Sequence, residues 1–191
     1  GVAPRNHAFD ADLAHQVVMT VRPITEMPKE ARSKGIKAIT VTDIRWGRCD
    51  VKTIQLLANS MAKQKAIEAD CDDAIFISEH GIVREGTSSN VFIVSGKRLM
   101  THPLTENILP GITRTVIIQI GKKIGLDVNI SFFNTEALYK ADEVFLTGTV
   151  TEVLPVASID GNIIGRGKAG PVSRKLYDLL RERGMSGASD D

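Results

Sequence analysis

The chain has 191 residues, of which 42% are hydrophobic and 25% charged, a composition typical of a globular domain with a sizeable core. Lysine and arginine total 24 against 23 aspartate and glutamate residues, so the net charge of +1 provides no basic surface for nucleic acid or for an anionic membrane. Aromatic residues make up 5% of the chain, too few for the stacking surfaces that bind single-stranded nucleic acid.

The two cysteines, Cys49 and Cys71, have neither a CxxC spacing nor paired histidines beside them. This pattern argues against a disulfide framework and against a zinc site, and it favours reduced thiols in a cytoplasmic protein. The sequence contains no apolar run long enough to cross a bilayer and no charged start followed by an apolar signal region. We therefore expect a cytoplasmic protein that binds neither membrane nor nucleic acid.

The first 44 residues predict two strands joined by a polar connection. The run LAHQVVMTV at 13–21 predicts the first strand, and the stretch from Pro23 to Gly35 predicts the connection. Residues 36–44 (IKAITVTDI) are rich in β-branched side chains and partly alternate, which predicts the second strand.

Lys52 lies at the junction between this strand and a predicted amphipathic helix that ends near Asp70. The helical spacing is carried by five apolar residues, namely Ile54, Leu57, Ala58, Met61 and Ala62. An amine just before a helix can project into a cavity, which would make it available for chemistry. A solvated surface lysine is the alternative, and the pattern alone does not exclude it.

Apolar runs separated by turn residues predict a mixed α/β domain over the rest of the chain. Asp160-Gly161 and Ser95-Gly96 are hairpin turn signals, and Gly125 suits the position after the C-terminus of an Ile-rich helix. The predicted strands are 74–78, 91–94, 98–102, 126–132 and 143–149, and the predicted helices are 111–125, 135–140 and 171–183, with Gly184 as the stop of the last.

Two further stretches suit the binding of a polar ligand. EGTSSNVF begins at Glu85 and places an acid and small polar residues before a strand, although a simple polar turn would have the same pattern. ILPGITR opens the Ile-rich helix at Gly111, so the free backbone N–H groups of Ile112 and Thr113 can bind an anion. An ordinary helix start with Thr113 as a cap is equally consistent with this pattern.

A third stretch, TGT, brings small hydroxylated residues to the end of a strand at 147–149. These residues could donate hydrogen bonds to the same anion, or they could simply close the strand.

Taken in order, DIRWGRCDVKT, EGTSSNVF, ILPGITR and EVFLTGTVTEVLPV resemble the fold-type IV pyridoxal-phosphate enzymes. That family includes D-amino acid transaminases, branched-chain transaminases and aminodeoxychorismate lyase. The resemblance runs from residue 4 to about residue 183, and PRNH at 4–7 is most similar to the D-amino acid transaminases. It implies a mixed-sheet pseudo-barrel with surrounding helices, and a transamination between a D-amino acid and a 2-oxo acid.

The resemblance also implies a role for each residue of the proposed cofactor site. Lys52 would bind pyridoxal phosphate covalently and then act as the base. Glu85 would pair with the pyridine nitrogen, and Leu109 would support the ring face. The family's phosphate-binding positions correspond to Gly111, Ile112, Thr113, Gly148 and Thr149 in this chain. Gly148 departs from the pattern, since a side-chain hydroxyl is common there in D-amino acid transaminases.

Arg5 and His7 correspond to family residues that bind the substrate carboxylate in the neighbouring subunit's site, so the resemblance implies a homodimer. It further implies that residues 1–24 form an inter-lobe segment and the first strand, that 25–185 form the cofactor-binding large domain, and that 186–191 form a disordered tail. We expect the family's smaller N-terminal lobe, with a phosphate-binding arginine and a tyrosine, to lie outside this sequence.

Several functions remain compatible with these patterns. A branched-chain transaminase or an aminodeoxychorismate lyase would share the fold and the cofactor. A domain that binds a phosphate ligand or a partner chain without catalysis is an alternative of a different class, and a cofactor-free fragment that only oligomerises is a third.

Overall fold

The computed structural model of the chain describes residues 2–4, 6–24 and 26–186. The strands found there are β1 (Ile36–Thr42), β2 (Asp73–Ile77), β3 (Val83–Gly86), β4 (Asn90–Ser95), β5 (Arg98–Thr101), β6 (Asp127–Ile130), β7 (Glu143–Gly148), β8 (Glu152–Ile159) and β9 (Asn162–Ile163). The helices are α1 (Lys29–Lys34), α2 (Leu57–Glu68), α3 (Ile112–Lys123), α4 (Thr135–Tyr139) and α5 (Pro171–Ser186).

Six strands close into a ring at the centre of the fold. Their order is β3-β2-β1-β8-β7-β4, and a pairing between β3 and β4 joins the two ends. Strand β1 runs parallel to both β2 and β8, whereas the other pairs of the ring are antiparallel. Strands β5 and β6 extend the sheet beyond β4. The prediction of a mixed α/β fold with a strand pseudo-barrel is therefore confirmed.

The core is divided between the two faces of the strands. Val91 and Ile93 of β4 belong to one buried cluster, and Phe92 and Val94 belong to another, as expected from the two-residue alternation of a strand. Helices α3 and α5 cover the second cluster, in which Phe92 stacks on the Phe145 ring with the centroids 5.2 Å apart. Each large apolar side chain buried in this way contributes about 1.5–3 kcal/mol to stability.

A buried carboxylate fixes the start of α5 against the ring. Glu143 accepts hydrogen bonds from the backbone N–H groups of Val172 at 2.9 Å and Ser173 at 2.8 Å. These groups lie at the N-terminal end of the helix, where backbone donors have no partner within the helix. A side chain at Gly170 would place its Cβ 2.0 Å from the Glu143 carboxyl carbon, so glycine is needed at this contact.

The structure differs from the predicted elements at three places. Residues 13–21 form no strand, all of them are exposed, and none of the described strands pairs with them. Helix α1 lies within the stretch that we predicted to be a polar connection. Helix α5 continues past Gly184 to Ser186, since a glycine inside a helix costs only about 1 kcal/mol. The rest of the predicted tail, residues 187–191, lies outside the described residues.

The helix after Lys52 also differs from its prediction. It begins at Leu57, and its buried residues are Ala62 and Ala66. Ile54 is 96% exposed, Leu57 76% and Met61 45%, so the predicted apolar face is wrong for the large side chains. The two small alanines allow α2 to approach β2 closely, where they pack beside Phe76.

Candidate active site

A cleft of about 820 Å³ lies between the β1–α2 segment, the β3–β4 loop, the start of α3 and the end of β7. The four chemistry-bearing stretches of the sequence thus meet at one place. The predicted cofactor-site residues that line the cleft are Lys52, Glu85, Leu109, Gly111, Ile112, Thr113, Gly148 and Thr149.

Glu85 provides a buried carboxylate at the wall of the cleft. It is 5% exposed and lies in β3, opposite Asn90 of β4. Its Oε2 accepts hydrogen bonds from the Leu109 N–H at 3.0 Å and from Asn90 Nδ2 at 3.1 Å, and its Oε1 accepts one from Arg45. Burial raises the pKa of Glu85 to about 7, although the Arg45 charge and these donors act in the opposite direction.

Arg45, which was not among the predicted site residues, connects Glu85 to a second buried acid, Asp43. Its guanidinium donates to Asp43 at 2.9 and 2.8 Å and to the Asn107 carbonyl at 3.0 Å, and it lies 4.2 Å from the centroid of the Phe76 ring. Arg84 donates to the same Asp43 carboxylate at 2.7 Å. Burial alone would raise the pKa of Asp43, but the two arginines outweigh it and lower the pKa. The available signal was an Asp-x-Arg pair at the end of an apolar strand.

The β3–β4 loop is held on both sides. Thr87 donates to the buried Asp73 carboxylate at 2.5 Å, and Asn59 of α2 donates to the Thr87 carbonyl at 2.8 Å. These bonds tie the loop to β2 and to the helix that follows Lys52, so the loop and the lysine segment share a rigid support.

The start of α3 gives the cleft a place to bind an anion. Gly111 is the N-cap of α3, and no N-cap side chain bonds to the N–H groups of the first turn. Such N–H groups can bind an anion. Within the described part of the chain, the buried hydroxyls of Ser89 and Thr147 also have no hydrogen-bond partner, and both residues line the cleft. Buried polar groups are normally satisfied, so these two hydroxyls indicate a polar ligand.

Gly111 leaves no room for a side chain. A Cβ there would lie 2.2 Å from Asn90 Oδ1, while Asn90 Nδ2 donates to both Glu85 and the Leu109 carbonyl. We expect Gly111→Ala to displace Asn90 and lower the free energy of unfolding by about 1–3 kcal/mol, as measured by urea titration. Gly47→Ala is the matched control, because a Cβ at Gly47 meets nothing within 4 Å. Equal stability of the two variants would contradict this packing.

Lys52 lies in the loop before α2, exposed to the cleft, and its amine forms no hydrogen bond to any other described residue. A second lysine, Lys63, also lines the cleft, but its amine donates to the Asp72 carbonyl and lies 3.7 Å from Asp73 Oδ1. The two amines therefore differ in their contacts, since the Lys63 amine has two acceptors nearby and the Lys52 amine has none among the described residues.

Of the two predicted substrate residues, Arg5 and His7, the structure describes only His7. His7 is exposed and does not line the cleft. Arg5 lies outside the described residues.

In the part of the chain that the structure describes, no helix has the length and apolar character needed to cross a membrane.

The family described as "Amino-transferase class IV" matches residues 2–159, most of the chain. The chain belongs to the class IV aminotransferase family. The D-alanine aminotransferase of Bacillus licheniformis is 44% identical over 97% of this chain, and that of Staphylococcus haemolyticus is 42% identical over 93%. This class IV chain covers only 65% and 63% of the length of those two relatives. The predicted resemblance to fold-type IV enzymes is confirmed.

Solved structures of class IV aminotransferases share the fold described above. The Escherichia coli branched-chain amino acid aminotransferase superposes with a TM-score of 0.75 at 32% identity, over 86% of this chain and 56% of that one. The branched-chain enzyme of Thermobaculum terrenum, in its PLP-bound holo form, gives a TM-score of 0.73 at 30% identity, over 82% and 53%.

The raised pKa of Glu85 predicts a pH dependence of the stability of this class IV chain without cofactor. Between pH 4.5 and about 7 the folded chain retains a proton on Glu85 that the unfolded chain releases, so the free energy of unfolding falls as pH rises. We expect this fall to be at most about 3 kcal/mol and to be absent in Glu85→Gln. Urea titrations of both proteins across this range test it, and a constant difference between them would contradict it.

Proposed function

We propose that this chain is the cofactor-binding large domain of a cytoplasmic, pyridoxal-phosphate-dependent D-amino acid aminotransferase, which transfers an amino group from a D-amino acid to a 2-oxo acid. One observation supports this most strongly. A single cleft presents the Lys52 amine, the buried Glu85 carboxylate and the N-terminus of α3. The 44% identity to a D-alanine aminotransferase supports the choice of D-amino acid.

The residues fit the chemical groups of pyridoxal phosphate. An amine matches its aldehyde, a carboxylate matches its ring nitrogen, and a helix N-terminus matches its phosphate. Leu109 adds an apolar wall for the ring, and the unpartnered hydroxyls of Ser89 and Thr147 offer further donors. When bound, the cofactor supplies an electron sink for the carbon that loses its proton.

In this proposal Lys52 attaches the cofactor and then moves the proton that the substrate loses. A lysine must be neutral to take up a proton, and a cationic ring beside it favours the neutral amine. Glu85 would accept a hydrogen bond from the protonated ring nitrogen. Its pKa, about 7 in the open cleft, would fall next to that cation, so Glu85 would be ionised at neutral pH.

We further propose that two copies of the chain associate, and that Arg5 and His7 bind the substrate carboxylate in the partner's site. The exposure of His7 and its absence from the cleft of its own chain support an action elsewhere. In the full-length protein, Arg5→Ala should raise the Michaelis constant for D-alanine strongly, and an unchanged constant would exclude this role.

The visible absorption spectrum of the purified chain with added pyridoxal phosphate, recorded before and after D-alanine, tests the proposed function. A band that is shifted from that of the free cofactor is expected, and D-alanine should bleach it. A band that D-alanine leaves unchanged would favour a non-catalytic ligand-binding domain. The absence of a specific band would overturn the proposal for this chain.

A branched-chain aminotransferase is the second candidate, because solved structures of that class share the fold at 30–36% identity. The same measurement with L-leucine separates the two candidates. Bleaching by L-leucine but not by D-alanine would favour the branched-chain activity.

A further inference from the structure

The turn between β7 and β8 brings Gly148 and Thr149 to the anion-binding end of the cleft. Residues 149–151 connect the two strands, and Gly148 pairs with Glu152 at the base of the turn. The conformation of this short connection therefore sets where the Thr149 hydroxyl and backbone lie relative to the start of α3.

Glu152 adopts a backbone conformation that its side chain does not favour. Its φ is +55°, in the left-handed region. Three-residue hairpin connections often end with a residue in this region, where glycine is the usual choice. A glutamate there is strained, so other contacts must hold the turn in place.

Two arginines from different helices supply those contacts. Arg32 of α1 donates to Glu152 Oε2 at 2.5 Å and to the carbonyls of Thr151 at 3.1 Å and Val153 at 3.3 Å. Arg181 of α5 donates to Glu152 Oε1 at 2.9 Å. We call Arg32, Glu152 and Arg181 the turn clamp. Both carboxylate oxygens and the flanking backbone are thereby fixed.

The Arg32–Glu152 pair of the turn clamp is largely shielded from solvent. The side chains of Arg32 and Glu152 are 14% and 19% exposed, so solvent screens their interaction only partly. The Arg32 guanidinium also lies 4.5 Å from the centroid of the Tyr177 ring, which holds it from the other side.

The turn borders two cavities. A second cavity of about 460 Å³ borders Gly148 and Thr149 as well as Glu152 and Arg181. Gly148 and Thr149 also line the main cleft, so both cavities border the turn. The hydrogen bonds of the clamp hold the backbone at Thr151 and Val153 and the Glu152 carboxylate.

We propose that Arg32 and Arg181, acting through Glu152, hold the β7–β8 turn in the conformation that binds the phosphate of the cofactor. This inference rests on the proposed function. Arg32, Glu152 and Arg181 are positioning residues in it, because none of them lines the main cleft. The turn clamp sets the affinity for the phosphate group and leaves the reaction at the lysine unchanged.

The first test compares pyridoxal phosphate with pyridoxal, which lacks the phosphate, in absorbance titrations. We expect Arg32→Ala to weaken pyridoxal phosphate binding about tenfold or more, in the range found when residues that orient ligand-binding groups are removed. Pyridoxal binding should not change. Arg98→Ala, which removes an exposed pair with Asp127 on β5 and β6, is the matched control. An equal loss of both ligands, or no loss of either, would overturn the inference.

The second test needs no cofactor. Amide hydrogen exchange at residues 149–152 should be faster in Arg32→Ala than in the parent chain, whereas exchange in β4 should be unchanged. If the parent chain binds no pyridoxal phosphate, the proposed function fails and the exchange result still decides the clamp. Unchanged exchange at the turn would reject it. If Arg32→Ala does not fold, the same comparison is made with Arg181→Gln. The side chain of Arg181 is 48% exposed.

Discussion

Lys52→Ala should abolish covalent capture of pyridoxal phosphate by this chain. Reduction of the parent protein with borohydride in the presence of the cofactor should leave one stable adduct on the peptide that contains Lys52, as located by mass spectrometry. In the variant that adduct should be absent, because a methyl group cannot attack the cofactor's aldehyde. The expected effect is a complete loss, the largest that we predict.

The matched control is Lys63→Ala, which removes the second amine of the same cleft. The Lys63 amine is held by the Asp72 carbonyl and by Asp73, so it is not available in the way that the Lys52 amine is. The adduct on Lys52 should therefore persist in this variant. An adduct on Lys63 in the parent, or one of equal yield in Lys52→Ala, would contradict the assignment.

The strands and the long helices could be predicted because their signals are local. The β-branched run at 36–44 forms β1 and the Ile-rich run at 111–125 forms α3, and both follow the spacing of side chains that face a core. The run at 13–21 has the same character but pairs with none of the described strands, because a strand also needs a pairing edge that reaches it. No local pattern shows whether such an edge exists.

The apolar residues around Lys52 show a second limit of sequence patterns. Ile54, Leu57 and Ile112 are strongly exposed, yet their spacing resembles that of core residues. Leu56 and Ile112 line the cleft. At Ile112 the pattern indicated burial where the structure has a cleft wall, whereas Ile54 and Leu57 do not line the cleft and are exposed on the surface.

Some features of the site could be predicted from the sequence, and others could not. Glu85, Lys52 and the start of α3 could be proposed because each lies in a short stretch with its own chemical signature. The contacts of Arg45 with Glu85 and Asn107 could not, because these partners lie 40 and 62 residues further along the chain. Arg32 is 120 residues from Glu152, so only the folded ring reveals that contact.

Glu85→Gln should slow the bleaching of the cofactor band by D-alanine on the order of 10²–10³-fold, the usual cost of removing one preorganised charge partner from an enclosed site. The variant keeps the side-chain volume, so the cleft retains its shape while losing the negative charge beside the ring nitrogen. Stopped-flow absorbance measures this rate, and cofactor affinity is measured in parallel. Glu79→Gln, at a glutamate whose side chain is 83% exposed, is the control and should react as the parent does. A Glu85→Gln variant that reacts at the parent rate would show that the buried carboxylate supports the fold through Arg45 and Asn90 but does not act on the cofactor.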